Sequence, residues 1–281
     1  MSSVLVDMNK LYGFLLLLCV LSFLSCQKEK KESSQAYLNR ANRALVINNT
    51  ELAKKIVDSI HVQYPRDIAA RKEAIVKKYQ IELQEQKRNL HYYDSVGHVK
   101  KNLLDSLKHN FVVENDSLYR QQIIFEHKLQ VKAFPNTRIR VDVNENGELS
   151  LSSVYGGKTP IHHTVLKIDN ADVFVETDEI DLSNKSIHTF RDEEMYWEVV
   201  NYTKKNAEQM LLFVEQFSQE PLKVYLKGKK EYSYTLQKED KAILIETWHF
   251  SLLLKDVYTS DKQKQIAQSK IALLQQKIQK N

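Results

Sequence analysis

The sequence predicts an α+β protein. A helical hairpin and a long helix come first, an antiparallel β-sheet domain with an inserted helix follows, and C-terminal helices pack back on the long helix. Between Gln35 and Asn110 the chain has one proline, Pro65, and one glycine, Gly97, which favours helix. Beyond about residue 119, apolar and polar residues alternate as in half-buried strands. Helices grouped before and after the strands are typical of α+β folds and not of alternating βαβ units.

The helical arm is predicted over residues 35–118. An asparagine cap followed by a glutamate marks a break at residues 48–51, and Tyr64-Pro65 ends the second helix. The third helix is long, and small or apolar residues recur in it every seven positions. This pattern comprises Ala69, Val76, Leu83, Leu90, Gly97 and Leu104. Its companion positions are only partly apolar, so it predicts a weak coiled-coil seam against another helix of the same chain.

The β-sheet domain is predicted over residues 119–236. Its strands are expected near 139–143, 149–153, 161–168, 171–177, 195–202, 222–227 and 231–236, with a helix at 204–217. A three-residue loop between the first two strands pairs Val143 with Leu149 and keeps their apolar faces together. A two-residue loop would instead pair Val143 with Ser150. We therefore predict a G1-bulge hairpin in which Gly147 has a positive φ.

The C-terminal region, 237–281, is predicted to form two helices. The first runs from Asp240 to Val257, and a capping box at residues 260–263 opens the second. Apolar residues at helical spacing give the second helix one continuous face, formed by Ala267, Ile271, Leu274 and Ile278. Because this face needs a partner, we expect it to pack against the long third helix.

Few residues in the body suggest chemistry. Tyr155, His162, His163 and Trp197 form a possible ligand face for a glycan or a peptide, and burial of Trp197 would argue against that face. Adjacent residues on a strand point to opposite sides, so the two histidines do not form a metal site, and hydrogen-bonded histidines in a sheet are the simpler interpretation. Gly156-Gly157-Lys158-Thr159 lacks the upstream glycine and following helix of a phosphate loop. The sequence therefore predicts no catalytic residue, no metal and no cofactor.

The composition limits the remaining classes of function. The chain has 281 residues, of which 42% are hydrophobic and 27% charged, enough for the core of one or two domains. Its two cysteines, Cys19 and Cys26, both lie near the N-terminus, which excludes a disulfide scaffold or a thiol nucleophile in the folded body. A net charge of +5 without a stripe of basic and aromatic residues argues against a nucleic-acid partner.

The N-terminus is predicted to be an export signal. Residues 11–24 are mainly apolar but too few to span a bilayer comfortably, since a spanning helix needs about 20 residues. The run ends in Phe23-Leu24-Ser25-Cys26, which resembles the lipobox of Bacteroidota lipoproteins. The resemblance implies that a type II signal peptide, residues 1–25, is removed and that Cys26 is lipidated. Residues 26–34 then form a polar tether whose mixed charges favour the periplasmic face of the outer membrane over the cell surface.

Four Asp-Ser-apolar triplets place Ser59, Ser95, Ser106 and Ser117 in a pattern that resembles the acceptor of the Bacteroidota O-glycosylation system. Such triplets also arise at the edges of ordinary helices, so both interpretations stay open.

The order of elements resembles Bacteroides-type outer-membrane lipoproteins, through residues 154–163, 196–200 and 260–281. That resemblance implies a compartment and an architecture but brings no established activity. We expect a non-enzymatic, lipid-anchored envelope protein that acts as a scaffold or interaction module, with another envelope protein or a glycan as partner. The alternatives are a lipoprotein that binds a glycan or peptide ligand, and an enzyme of unfamiliar type.

Overall fold

The computed structural model describes residues 32–115, 122–132 and 136–280. The chain divides into two compact units, the first formed by residues 1–86 and 270–281 and the second by residues 87–269. The predicted signal peptide, the lipidated Cys26 and Ser117 lie outside the described residues, so these remain predictions.

The first unit is built on three helices, α1 (Ser34–Val46), α2 (Thr50–Gln63) and the first part of α3 (Ile68–Lys108). The break predicted at residues 48–51 is confirmed, and the side chain of Asn49 caps α2 by accepting the N–H of Leu52 at 3.0 Å. Small side chains let these helices pack closely. The buried core of the unit comprises Leu38, Ala41, Ala44, Ala53, Ile56, Val57, Ile60, Ala70, Ala74 and Ile81.

The C-terminus forms one helix, α6 (Lys238–Lys280), so the prediction of two helices is wrong. No glycine or proline interrupts residues 237–281. Ser260, the predicted cap, is buried inside the helix, and its Cβ lies 3.5 Å from the position that a Cβ on Gly97 would occupy. The motif therefore serves close packing between two helices and not the start of a new one.

The predicted packing of the C-terminal helix on the long helix is confirmed within each unit. In the second unit, the ammonium of Lys100 lies 2.7 Å from Asp256, and that of Lys101 lies 2.9 Å from Asp261. In the first unit, the ammonium of Lys277 lies 5.1 Å from the centre of the Tyr79 ring. The two ends of the chain thus meet along these helices.

The second unit contains a six-stranded antiparallel sheet in the order β1-β2-β3-β4-β8-β7. Its strands are β1 (Phe111–Asn115), β2 (Ile123–His127), β3 (Arg138–Asn144), β4 (Leu149–Gly157), β7 (Ile187–Asp192) and β8 (Met195–Asn201). A short helix, α4 (Lys128–Lys132), follows β2. The change from helix to strand therefore comes earlier than the predicted position near residue 119.

A second, four-stranded antiparallel sheet has the order β10-β9-β5-β6. Its strands are β5 (His163–Asp169), β6 (Phe174–Glu176), β9 (Lys223–Gly228) and β10 (Glu231–Thr235), and helix α5 (Lys204–Gln216) precedes β9. The core of the unit draws buried apolar residues from both sheets, from α5 and from α6. The strands predicted for one β-sheet domain are thus divided between two sheets.

The hairpin between β3 and β4 forms as predicted. Val143 pairs with Leu149 and Val141 with Leu151. Gly147 has a φ of 79°, and its N–H donates to the carbonyl of Asn144 at 2.9 Å. A Cβ at Gly147 would lie 2.5 Å from the carbonyl oxygen of Ser251, so the position requires glycine for both conformation and space.

Candidate functional site

The four residues of the predicted ligand face lie on or next to strands β4, β5 and β8, and three of them are buried. Tyr155 on β4, His163 on β5 and Trp197 on β8 are each less than a tenth exposed. The structure brings Tyr155 and His163 into an edge-to-face contact, with ring centres 6.5 Å apart. His162, just before β5, keeps a partly accessible side chain. The buried rings therefore do not offer an exposed aromatic platform.

A glutamate that the sequence analysis missed organises this region. Glu198 on β8 is 2% exposed, and its carboxylate accepts three successive backbone N–H groups. These come from Ile161 at 2.8 Å, His162 at 2.8 Å and His163 at 3.0 Å. The fourth donor is the His163 imidazole, whose Nδ1 lies 2.8 Å from the same carboxylate. Both carboxylate oxygens are thereby fully used.

Two hydroxyl groups extend the chain of hydrogen bonds. Nε2 of His163 lies 2.8 Å from the Ser153 hydroxyl, which in turn lies 2.7 Å from the hydroxyl of Tyr202. With Nδ1–H donating to Glu198, the arrangement is satisfied when Tyr202 donates to Ser153 and Ser153 donates to Nε2. We call these four side chains, together with the backbone N–H groups of residues 161–163, the Glu198 network.

Hydrogen bonding keeps Glu198 charged in spite of its burial. Burial alone raises the pKa of this carboxyl, but the hydrogen bonds from the His163 ring and the three backbone N–H groups outweigh that effect and lower the pKa to about 2. Burial also raises the pKa of Tyr202, so its hydroxyl stays protonated and able to donate. The network therefore holds an ionised carboxylate inside the protein at neutral pH.

Ser153, His163 and Glu198 have the connectivity of a serine-hydrolase triad, with both hydrogen bonds at 2.8 Å. A triad serine must reach a substrate carbonyl, however, and neither Ser153 nor His163 has any exposed surface. The Ser153 hydroxyl is also occupied by Tyr202. In this conformation the three residues act as a structural joint between β4 and β8 of one sheet and β5 of the other.

The Glu198 network holds a strained piece of backbone. His162 has a φ of 53°, in the left-handed region that few non-glycine residues adopt. Its N–H donates to Glu198, and the carbonyl before it, that of Ile161, accepts the N–H of Lys230 at 3.1 Å. On the far side, a Cβ at Gly228 would lie 2.1 Å from the carbonyl oxygen of His162. The orientation of His162 is thus set from both sides.

His162 lines an open cleft of about 910 Å³, which we call the His162 cleft. Its floor is β5 near Thr164 and Val165. One wall is the segment 176–182, which lies beside β5. Two hydrogen bonds join it to that strand, from the N–H of Thr177 to the carbonyl of Leu166 and from the N–H of Ile180 to the carbonyl of Thr164. The other wall is formed by Lys227 and Gly228 at the end of β9 and by Lys229 just after it. A volume of this size is in the usual range for small-molecule sites, about 300–1,000 Å³.

The predicted glycosylation serines that the structure describes all lie on helices. Ser59 is partly buried on α2, whereas Ser95 and Ser106 are exposed on α3. The hydroxyls of Ser59 and Ser106 each donate to the carbonyl three residues earlier, at 2.6 Å. Ser95 and Ser106 are thus the exposed residues of the three, and the modification of all three stays a prediction.

Three comparisons with known proteins give no relative for this chain. No protein-family model matches it, no curated protein matches it, and no solved structure matches it. Within the described ranges, no group of three or more His, Cys, Asp or Glu residues is placed to hold a metal ion. No helix among those same residues is long and apolar enough to cross a membrane.

Proposed function

We propose that the protein is a lipid-anchored, non-enzymatic binding protein of the cell envelope, held at the membrane through Cys26, and that its body binds a ligand in the His162 cleft. The observation that carries the binding role is the fixed placement of His162 beside an open cleft. The lipobox at residues 23–26 supports the anchor.

The energetics of the Glu198 network support this choice of site. Taking a carboxylate out of water costs several kcal/mol, and well-packed apolar residues can often replace a buried ionic group without loss of stability. If this position served only to stabilise the fold, packed apolar side chains would be sufficient. Strained backbone that its surroundings hold in place is concentrated at binding and active sites. We therefore infer that the role of the network is to hold the backbone of His162 in place at the cleft.

The anchor is tested by cell fractionation after Cys26→Ala substitution or treatment with globomycin. We expect either change to release the protein from the membrane fraction or to leave an uncleaved precursor. Cys19→Ala, which removes the other cysteine but leaves the lipobox intact, is the matched control and should keep the protein membrane-bound. A Cys26→Ala protein that is processed normally and stays in the membrane fraction would contradict the anchor.

A hydrolase is the second candidate function, because the distances within Ser153, His163 and Glu198 match those of a triad. It requires an opening that exposes Ser153, and a reactive-serine probe distinguishes the two candidates.

A further inference from the structure

We propose that the His162 cleft binds a short peptide through its free ammonium and carboxylate ends. This assignment rests on the proposed function, because it names the ligand class of the same site. It follows from how charge is distributed over the two walls and from which side chains form the floor.

The two walls of the cleft carry opposite charges. Glu176, Glu179 and Asp181 lie on the wall next to β6, whereas Lys227 and Lys229 lie on the wall next to β9. Because β5 runs between β9 and β6 in the sheet, the acidic and basic groups stand on opposite sides of the floor. A ligand that lies across β5 would therefore meet acidic residues at one end and basic residues at the other, beside the Glu176–Lys227 ion pair that crosses the floor.

Not all of these charges are available to a ligand. Glu176 and Lys227 bind each other, with carboxylate and ammonium 2.6 Å apart. The Asp181 carboxylate accepts the hydroxyl and the N–H of Ser183, which lower its pKa and keep it ionised. Glu179 and Lys229 are exposed and have no ion-pair partner among the described residues. These last two supply one unused charge of each sign, which suits a ligand carrying both an ammonium and a carboxylate.

The floor and the end of the cleft suit a peptide better than a neutral glycan. Sugar rings commonly pack their C–H faces on aromatic side chains, but no Phe, Tyr or Trp side chain of the described residues lines this cleft. Val165, Ile180 and Leu182 provide aliphatic contacts, while Thr164 adds a polar side chain in the floor. The imidazole of His162 adds a group that can donate to or accept from an amide. Small apolar side chains on a hydrogen-bonding backbone match this surface.

The test uses isothermal titration calorimetry on the full chain in detergent, with trialanine as the probe. Its N-acetylated and C-amidated forms remove one charge each. We expect wild-type protein to bind trialanine about threefold to fivefold more tightly than either capped form, because each cap removes a charge that would pair with an exposed side chain. In Glu179→Gln, N-acetylation should no longer weaken binding, and in Lys229→Met, C-amidation should no longer do so.

Two exposed residues outside the cleft, Glu194 and Lys185, provide matched controls. Glu194→Gln and Lys185→Met remove the same charges and should leave the affinity and its dependence on capping unchanged. Circular dichroism should show all four variants folded, because the substituted side chains are exposed.

Equal affinity for free and capped trialanine, or no binding of any of the three peptides, would overturn the peptide assignment. Binding of the neutral sugar maltotriose that His162→Ala abolishes would overturn it too, while leaving the cleft as a binding site. Failure of the proposed function is measured separately, by fractionation of Cys26→Ala and by labelling of Ser153 with a reactive-serine probe.

Discussion

Glu198→Gln is the most informative perturbation of the network, because it keeps the shape of the side chain and removes its charge. The carboxylate accepts four hydrogen bonds in the native state, two at each oxygen. An amide has one oxygen and one NH₂ group, so it can accept only at one end. If its oxygen faces the N–H groups of Ile161 and His162, its NH₂ group faces the N–H of His163.

The expected loss of stability follows from this count. The His163 ring can change tautomer and accept from the new NH₂ group, but the backbone N–H of His163 is then buried without a partner. An unsatisfied buried donor costs about 1–3 kcal/mol, and the remaining bonds lose the strength of a charged acceptor. We expect Glu198→Gln to lower the free energy of unfolding by about 2–4 kcal/mol, measured by urea denaturation. Glu194→Gln, at an exposed turn, should change it by less than about 0.5 kcal/mol.

The pH dependence of stability reports on the same carboxylate. The pKa of Glu198 is lowered from 4.5 to about 2 in the folded protein, so its contribution is fully present above about pH 4.5. That contribution is lost as the pH falls from about 4.5 through 2. The shift corresponds to roughly 3 kcal/mol, in line with the count of hydrogen bonds. The gap between wild type and Glu198→Gln should therefore narrow in this window.

A loss below about 1 kcal/mol at neutral pH, or a gap that stays constant down to pH 2.5, would refute the reasoning. The first result would mean that the four donors find other acceptors when the carboxylate is absent, and the second that folding does not lower the pKa of Glu198.

Three further substitutions test other positions by urea denaturation. Gly97→Ala should stabilise the protein by about 0.5–1 kcal/mol, because alanine favours helix and its Cβ would contact Ser260 at an ordinary 3.5 Å; a loss would show that the helices approach more closely. Gly147→Ala should destabilise the protein by about 1–3 kcal/mol, since the backbone at this position has a φ of 79° and the added Cβ would lie 2.5 Å from a carbonyl oxygen. Ser153→Ala should cost about 1–3 kcal/mol, because it leaves polar groups of His163 and Tyr202 without their partner. A fluorophosphonate probe should not label wild-type Ser153, and labelling would favour the hydrolase.

The helices and the β3–β4 hairpin were predictable because their evidence is local. In the helices, the spacing of apolar residues decides which face is buried. In the hairpin, Gly147 at the turn fixes which residues of β3 and β4 pair. The edge strand β7 was missed because it is mostly exposed and shows no apolar alternation. The predicted capping box at Ser260 was misleading, since a serine inside a helix can equally serve close packing.

The site was only partly predictable. The sequence marks His162 and His163 as unusual, but their roles depend on Glu198, which is 35 residues further along the chain from His163. A single glutamate within the strand Tyr-Trp-Glu-Val-Val is a weak clue, because a charged residue in a strand usually faces solvent. Its inward placement follows from how the two sheets pack, which spacing along the sequence does not reveal.

The Glu198 network also has a consequence for the order of folding. The hydrogen bonds of Glu198 on β8 reach residues 35–37 positions away, at or just before β5 of the other sheet, so they can close only after both strands are in place. A partly folded chain with one sheet formed has neither the strained backbone at His162 nor the cleft beside it. The ligand binding that we propose would therefore be confined to molecules that have completed folding.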